Sequence, residues 1–378
     1  MTPEEAMLRL LAESALAVGM GWHSYIVGGA VRDYAMGMSV KDLDVVVEPV
    51  EGRTTILLAE EVAKRLHVGC HPDQYGVVHL GPVSEDISFH GISLKGQKVE
   101  IVTSRKEKYD KSKKDSHKPS EVAVGTILED LERRDFTINT LMWRLGDLVE
   151  GPESAPIIDL LGKGLYDLQE KILRTPLHPE ETFDEDPSRI LRGIRFWAKY
   201  DLRPSADTWL AFKSKAEELR RLPYEVVAMV FIEKILTLPK VQLELALDSM
   251  HHLGLLEIVF MVVPQGRMRR GINSTVKDTR MLLKLMNFSS PLMVGHSLSN
   301  EEYRLLQEYS WVHTDAELDA HYQKFLKPPF DALKFINDTG LSGPAISETV
   351  ARARLMVLKN PAITAEVLQQ TITAECAP

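Results

Sequence analysis

Two aspartates, Asp42 and Asp44, stand two residues apart where the chain enters the apolar run Leu43-Asp-Val-Val-Val47. In a strand, residues i and i+2 project from one face, so both carboxylates point the same way. Side by side they repel unless a cation lies between them. Hard oxygens of this kind suit Mg²⁺, which combines one or two carboxylates with water and substrate phosphates. The competing reading is two solvated acids at the start of a surface strand. Just upstream, Tyr25-Ile-Val-Gly-Gly-Ala-Val-Arg-Asp33 runs from a strand through Gly28-Gly29 into a helix. The free N–H groups and dipole of a helix start favour an anion, and Arg32 in the first turn can reach the same phosphate. A phosphate loop placed just before the acid pair favours the metal reading.

Three further clusters could join them. Glu100 interrupts the β-branched run Lys98-Val-Glu-Ile-Val-Thr103 and points opposite to Val99 and Ile101. It either faces solvent or, if its strand lies beside Asp42 and Asp44, completes a three-carboxylate, two-metal clamp. Arg133-Arg-Asp-Phe-Thr-Ile-Asn139 sets Arg133, Arg134, Asp135 and Asn139 around apolar Phe136 and Ile138. Such a cluster can grip nucleotide phosphates and ribose, with Asp135 accepting from sugar, or it can be a salt-bridged helix start. Glu185-Asp-Pro-Ser-Arg-Ile-Leu-Arg-Gly-Ile-Arg-Phe196 opens a helix with Pro187 in its first turn and Asp186 as N-cap. Arg189, Arg192 and Arg195 recur at steps of three as a basic stripe. Asp186 and Arg189 together offer the acceptor and donor needed for the Watson–Crick edge of a base; a surface helix with solvated arginines is the plain alternative.

The elements that must hold these residues change character near residue 150. Before it, strand-like runs at 23–27, 43–47, 75–80 and 98–103 alternate with helical stretches; beyond it, helical patterns dominate. The expected class is α+β: an α/β head over 1–146, an all-helical neck over 147–204, a helical body over 205–270 and a helical tail over 271–378. The lysine-rich stretch Lys106–Lys118 is nearly free of apolar residues and is expected to be a mobile loop.

Composition narrows the setting. No apolar run reaches the ~18 residues of a membrane span. The N-terminal stretch has charges at Glu4, Glu5, Arg9 and Glu13, with Met7, Leu8, Leu11, Ala15 and Leu16 at helical spacing, which predicts an amphipathic helix rather than a leader. The two cysteines, Cys70 and Cys376, match no metal spacing and suit a reducing, cytoplasmic location. A net charge of −9 does not favour nucleic acid globally. Basic residues are nonetheless concentrated in two patches, Arg105–Lys118 and Arg267, Arg269, Arg270, Lys277, Arg280, Lys284.

Taken in order, these motifs resemble the class II tRNA nucleotidyltransferase and bacterial poly(A) polymerase family, strongly over about residues 22–200 and loosely beyond. The resemblance implies a nucleotidyltransferase-type head. Gly28, Gly29, Arg32 and Asp33 belong to its metal-and-phosphate motif, and Asp42 and Asp44 would bind Mg²⁺ with Glu100 as third carboxylate. Arg134, Asp135 and Asn139 would hold the nucleotide's phosphate and sugar. Asp186 and Arg189 would pair with CTP or ATP as a protein template, with Arg192 and Arg195 completing the pocket and Arg105 leading into the family's flexible loop. The RNA 3′-hydroxyl would attack the α-phosphate and pyrophosphate would leave.

The partners implied are the tRNA 3′ end, CTP and ATP, with the second basic patch (Arg267, Arg269, Arg270, Lys277, Arg280) against the tRNA backbone and no obligate protein partner evident. Within the family, the long basic loop speaks against CC addition. The acidic, apolar C-terminus speaks against poly(A) synthesis, which leaves full CCA addition ahead of A addition. A non-catalytic RNA-binding relative and a nucleotidyltransferase acting on a small molecule are the readings from other classes. Intact carboxylates oppose the first, and the helical body with its basic patch opposes the second.

Overall fold

The computed structural model describes residues 1–378 other than 41, 51, 74–75, 85–86, 110–118, 277–280, 283, 286–297, 299, 332–333, 336–338, 340–343 and 377–378, with backbone only at 269, 273, 300, 311, 344–345 and 375–376. The chain forms two compact units, Met1–Leu222 and Pro223–Pro378.

The first unit opens with α1 (Pro3–Ala17), started by a Thr2–Glu5 capping box. Its apolar stripe buries Met7, Leu8, Leu11 and Ala15, as the spacing predicts. Leu16 departs from that stripe: it lies over the Gly21 turn at the helix end and is partly exposed.

The sheet follows: β1 (Ser24–Val27), α2 (Gly29–Ala35), β2 (Leu43–Val47), α3 (Thr55–Leu66), β3 (Val78–Leu80), a small β4–β5 pair (Ser88–Phe89 and Ile92–Ser93), β6 (Val99–Thr103), β7 (Arg105–Lys108), β8 (Glu121–Val124), α4 (Ile127–Glu132) and β9 (Met142–Arg144). Five strands form one mixed sheet in the order β3-β6-β2-β1-β9, with β2 and β6 parallel and the other pairs antiparallel. The inner strands are largely apolar, with Asp44 and Glu100 as the acidic exceptions. Ile26, Val45 and Val47 pack with residues of α1 and α3, whereas Tyr25, Val27 and Val46 pack with Ile127 and Leu131 of α4. Asp44 shares the second face with Val46, and that alternation decides where the catalytic candidates point.

Several expectations need correction. Strand β9 was not anticipated; it is three residues long and Met142 and Trp143 are both buried, so it shows no alternation. The stretch from Lys106 is not loop throughout. Arg105–Lys108 pairs with Glu121–Val124 in an antiparallel hairpin, and Lys106 and Lys108 face Glu129 and Glu121 at 3.7 and 3.0 Å. Lys111, Lys113, Lys114, His117 and Lys118 lie outside the described residues.

After β9 come α5 (Gly164–Gln169), β10 (Ile172–Leu173), α6 (Pro179–Glu185), α7 (Ser188–Tyr200), β11 (Arg203–Pro204) and α8 (Ala206–Ser214). The neck is therefore not purely helical, since β10 and β11 pair in parallel. Residues 205–222 pack with this unit rather than opening a separate body. Phe212 of α8 stacks on Phe183 of α6 at 5.2 Å. Helix α7 comes so near that a Cβ at Gly193 would stand 2.4 Å from Phe212 and 2.9 Å from Phe136.

The second unit contains α9 (Tyr224–Ala228), running on as a π-helical turn Met229–Ile235, then α10 (Lys240–His252), α11 (Leu255–Val262) and α12 (Gln265–Thr275). Helices Asn300–Val312, Asp315–Leu326, Pro344–Lys359 and Ala365–Cys376 follow. Among the described residues it has no strand, and no single helix of the described residues in either unit is long and apolar enough to cross a membrane.

Candidate active site

The turn between β1 and α2 needs glycine at Gly28, where φ is +76°. A Cβ there would also lie 3.2 Å from Nη1 of Arg134. The turn is held by Gly28 N–H donating to the Leu141 carbonyl at 3.1 Å. One turn into α2, Arg32 is buried and almost fully committed. Its Nε and Nη2 donate to Asp33 Oδ1 at 2.8 and 2.6 Å, Nη1 to Asn139 Oδ1 at 2.6 Å, and Nη2 to the Tyr200 hydroxyl at 2.6 Å. The guanidinium also stands over the rings of Phe196 and Tyr200 at 5.3 and 4.5 Å. Arg32 thus joins the glycine turn to α7.

Asp42 is exposed just before β2, and Asp44 is partly buried within it. In the parallel pairing of β2 with β6, Asp44 is directly beside Glu100. Burial pushes the Asp44 carboxyl above its ordinary range; Glu100 and Asp42 push it further, and Arg134 opposes them. Glu100 is turned towards His79, which faces it across β3 with Nδ1 3.2 Å from Oε1, and it does not line the cleft described below. Among the described residues, no three His, Cys, Asp or Glu side chains are grouped to hold a metal by themselves. A strained carboxylate pair short of positive charge fits a hard cation that takes its other ligands from water and phosphate, as Mg²⁺ does.

The Arg133–Asn139 segment follows α4, whose Thr126–Glu129 capping box fixes its start. Asp130, fully buried, accepts Arg133 Nη2 at 2.5 Å and Arg134 Nη2 at 3.0 Å. Asp135 is filled from within the protein: Oδ1 accepts Phe136 N–H and Asn139 Nδ2, both at 2.8 Å, and Oδ2 accepts Arg192 Nε and Nη2 at 2.9 and 2.6 Å. It holds Arg192 and Asn139 instead of presenting an open acceptor to sugar. Burial alone would raise its pKa, but Arg192 and Asn139 outweigh that and hold it below the usual carboxylate range.

Helix α7 starts one residue later than its sequence predicts: Pro187 takes the N-cap position, and Asp186, just before it, accepts Ser188 N–H on Oδ1 at 2.9 Å. Arg189 is buried, with Nη1 on the Thr182 carbonyl at 3.3 Å and Nη2 on the Arg133 carbonyl at 2.7 Å. Its Nε is 3.9 Å from Asp186 Oδ2. Arg195 is crowded by cations; burial, then Arg192 and Arg32, lower its pKa.

These groups line one cleft of about 720 Å³: Gly28, Gly29, Arg32, Asp33, Asp42, Asp44, Arg105, Arg134, Asp135, Asn139, Asp186, Arg189, Arg192 and Arg195 all contribute. Arg133, the first arginine of that motif, lines it as well, and so do Lys199 and Tyr200, which were not foreseen. Lys199 continues the arginine stripe four residues on from Arg195, a signal that was available in the sequence. The Tyr200 hydroxyl also reaches Asp33 at 3.2 Å and accepts from Lys199 at 2.8 Å; its pKa is pushed up to about 12, chiefly by burial. No spacing rule finds Tyr200, because its partners lie 167 and 168 residues away. Buried Asp130 was missed too, although it stands three and four residues before Arg133 and Arg134 on one helix face.

The second basic patch belongs to the other unit. Arg267 and Arg270 are exposed on α12. Lys284 is paired with Asp248 at 2.8 Å. Lys277, Arg280 and the Arg269 side chain lie outside the described residues.

The family model described as the poly A polymerase head domain matches residues 24–174. Residues 24–174 are similar to that head domain. The matched segment carries the glycine turn, both aspartates and the Arg133–Asn139 segment. Similar curated proteins include tRNA nucleotidyltransferase cca2 of Schizosaccharomyces pombe, 34% identical over 47% of this chain and 35% of that protein. An A-adding tRNA nucleotidyltransferase of Aquifex aeolicus is 37% identical over 49% and 19%. A CCA-adding enzyme of Streptococcus pyogenes is 32% identical over 54% and 44%. The chain thus spans less than half the length of each of these relatives. Among solved structures, an apo CCA-adding enzyme superposes with a TM-score of 0.61 at 21% identity, covering 98% of this chain and 95% of that one. A Thermotoga maritima CCA-adding enzyme complexed with tRNA gives 0.54 at 21%, covering 98% and 90%. The fold is accordingly a nucleotidyltransferase head with a mixed sheet followed by helices.

Proposed function

We propose that this chain is a template-independent RNA nucleotidyltransferase that adds or repairs the 3′-terminal CCA of tRNA, using CTP and ATP in a cytoplasmic setting. The observation that carries this reading is that a single cleft gathers two acids and a phosphate turn at one side with Asp186, Arg189 and Arg192 at the other. The first set suits a triphosphate and the second a base edge, so one bound nucleotide spans both. The names of the relatives and the tRNA, ATP and CTP complexes among the structural neighbours support the same substrates.

In this reading the Gly28–Gly29 turn and Arg134 receive the triphosphate, with Arg32 bracing the turn from behind. Asp42 and Asp44 would hold Mg²⁺, which when bound neutralises phosphate charge and activates the attacking hydroxyl. Arg189, fixed by two backbone carbonyls, and Asp186 present donor and acceptor to the base. Arg192 is oriented by Asp135. The RNA 3′-oxygen forms a bond to the α-phosphorus as the bond to the pyrophosphate oxygen breaks. Positioning and charge neutralisation supply most of the rate.

The test uses tRNA transcripts ending before CCA, after C and after CC, each with labelled CTP or ATP. Incorporation of both nucleotides, stopping after the terminal A, is expected. ATP use on the CC-ending transcript alone makes the chain an A-adding enzyme, and a long ladder makes it a poly(A) polymerase. No incorporation on any RNA overturns the enzyme reading.

A further inference from the structure

Asp130 is a fully buried carboxylate that touches no cleft surface, yet five hydrogen bonds converge on it. Oδ1 accepts Arg133 Nη2 at 2.5 Å, Arg133 Nε at 3.2 Å and the Arg105 N–H at 3.3 Å. Oδ2 accepts Arg134 Nη2 at 3.0 Å and Nε at 3.3 Å. The Nε and Nη2 edge of Arg134 is therefore spent on Asp130, which leaves Nη1 facing the Gly28 turn, 3.2 Å from where a Cβ would stand.

Arg134 is also close enough to Asp44 to lower that carboxyl's pKa through space, but it makes no ion pair with it among the described residues. Two acids thus draw on one guanidinium, and Asp130 has the direct contact. Without Asp130, Asp44 is an anion within electrostatic reach of Arg134. A pair formed there would turn the arginine away from the turn and occupy the carboxylate that the proposed reaction needs free.

We propose that Asp130 is a positioning residue that parks Arg134 over the Gly28 turn, keeping its charge on the nucleotide phosphates and off Asp44. This rests on the nucleotidyltransferase reading above. The neighbouring bonds from Arg133 and the Arg105 N–H fix the carboxylate itself, so its two oxygens cannot rotate to follow a moving arginine. A buried charge satisfied at this many points is a rigid anchor.

The test measures ATP and CTP binding to the full chain by calorimetry without RNA, so that no turnover is needed. Asp130→Asn is expected to weaken binding about tenfold, the worth of one charge-assisted hydrogen bond. Arg134→Ala should do the same, and the double variant should be no worse than Arg134→Ala alone, because both changes remove one interaction. Arg134→Lys guards against misfolding of the Asp130 variant. Lysine keeps the charge but cannot make the two-point contact, so its affinity should fall nearly as far with an unchanged Tm. Wild-type affinity in Arg134→Lys overturns the proposal, as do additive losses in the double variant. An Asp130→Asn protein that melts earlier yet binds nucleotide normally also overturns it, since that is a purely structural residue. A wild-type chain that binds neither nucleotide overturns the proposed function and this inference together, which separates the two failures.

Discussion

Both Nε and Nη2 of Arg192 donate to a single oxygen of Asp135, at 2.9 and 2.6 Å, while the other oxygen of Asp135 is taken by Asn139 and the Phe136 N–H. Asn139 in turn accepts from Arg32, and Arg32 donates to Tyr200. One buried network therefore ties α7 to the glycine turn in two places. The cleft is a closed circuit of contacts between the head domain and the helix that follows it, and an error at one point is felt at the others.

Asp135→Asn should leave Arg192 half-held and lower stability by about 1–3 kcal/mol, with a raised KM for nucleotide. The pH dependence has a definite sign. The folded pKa of Asp135 is depressed, so its stabilisation is present above the ordinary aspartate pKa of about 4 and is lost as pH falls through the lower folded value. Denaturant midpoints of wild type and Asp135→Asn should differ near neutrality and converge in acid. A constant gap across that window would show that the charge of Asp135 is not what stabilises.

Asp44 should behave oppositely. Burial and Glu100 raise its folded pKa, so its ionised form strains the protein at neutral pH. Asp44→Asn should raise stability by about 1 kcal/mol, or about 2–4 °C in Tm, while abolishing nucleotide transfer. Asp42→Ala should also abolish transfer with tRNA binding nearly intact. Thermal melts and gel-shift assays beside the incorporation assay check all three; a substantially active Asp42→Ala would refute its metal role.

Arg189→Ala should relax nucleotide choice towards UTP or GTP. Arg189 is fastened to the Thr182 and Arg133 carbonyls; the variant takes the donor from the Arg133 carbonyl, while Thr182 keeps the Asp186 N–H, and should lose about 1–3 kcal/mol of stability. Competition between nucleotides on a CC-ending transcript measures the choice. Unchanged selectivity would count against a protein template.

Gly28→Ala forces a side chain into a positive-φ turn and against Nη1 of Arg134. The backbone strain costs about 1–2 kcal/mol, and the displaced arginine should weaken nucleotide binding by about tenfold. Gly29→Ala is the control, since a Cβ there meets only Arg32 Nη2 at an ordinary 3.6 Å; its Tm should stay closer to wild type, as differential scanning calorimetry can show.

Much of this site could be read from the chain alone, because its parts depend on short-range order. The spacing of Asp42 and Asp44 sets their shared face whatever the strand packs against. Gly28-Gly29 makes a turn, and Asp186 takes the Ser188 N–H at the start of α7, because each acts within a few residues. The steps from Arg189 to Arg195 fix a stripe by helix geometry. What those rules could not decide was which groups remain open once the elements meet. Asp135 seemed free to accept from sugar, but Arg192, 57 residues away, fills it. Glu100 did land beside Asp44, yet His79 on a third strand turns it aside. Tyr200 was invisible for the same reason: a buried hydrogen bond is chosen by the partner that arrives in space, and desolvation makes each carboxylate and hydroxyl take the nearest donor. Sequence spacing set the direction of each side chain, and packing decided whether it ended as ligand, anchor or brace.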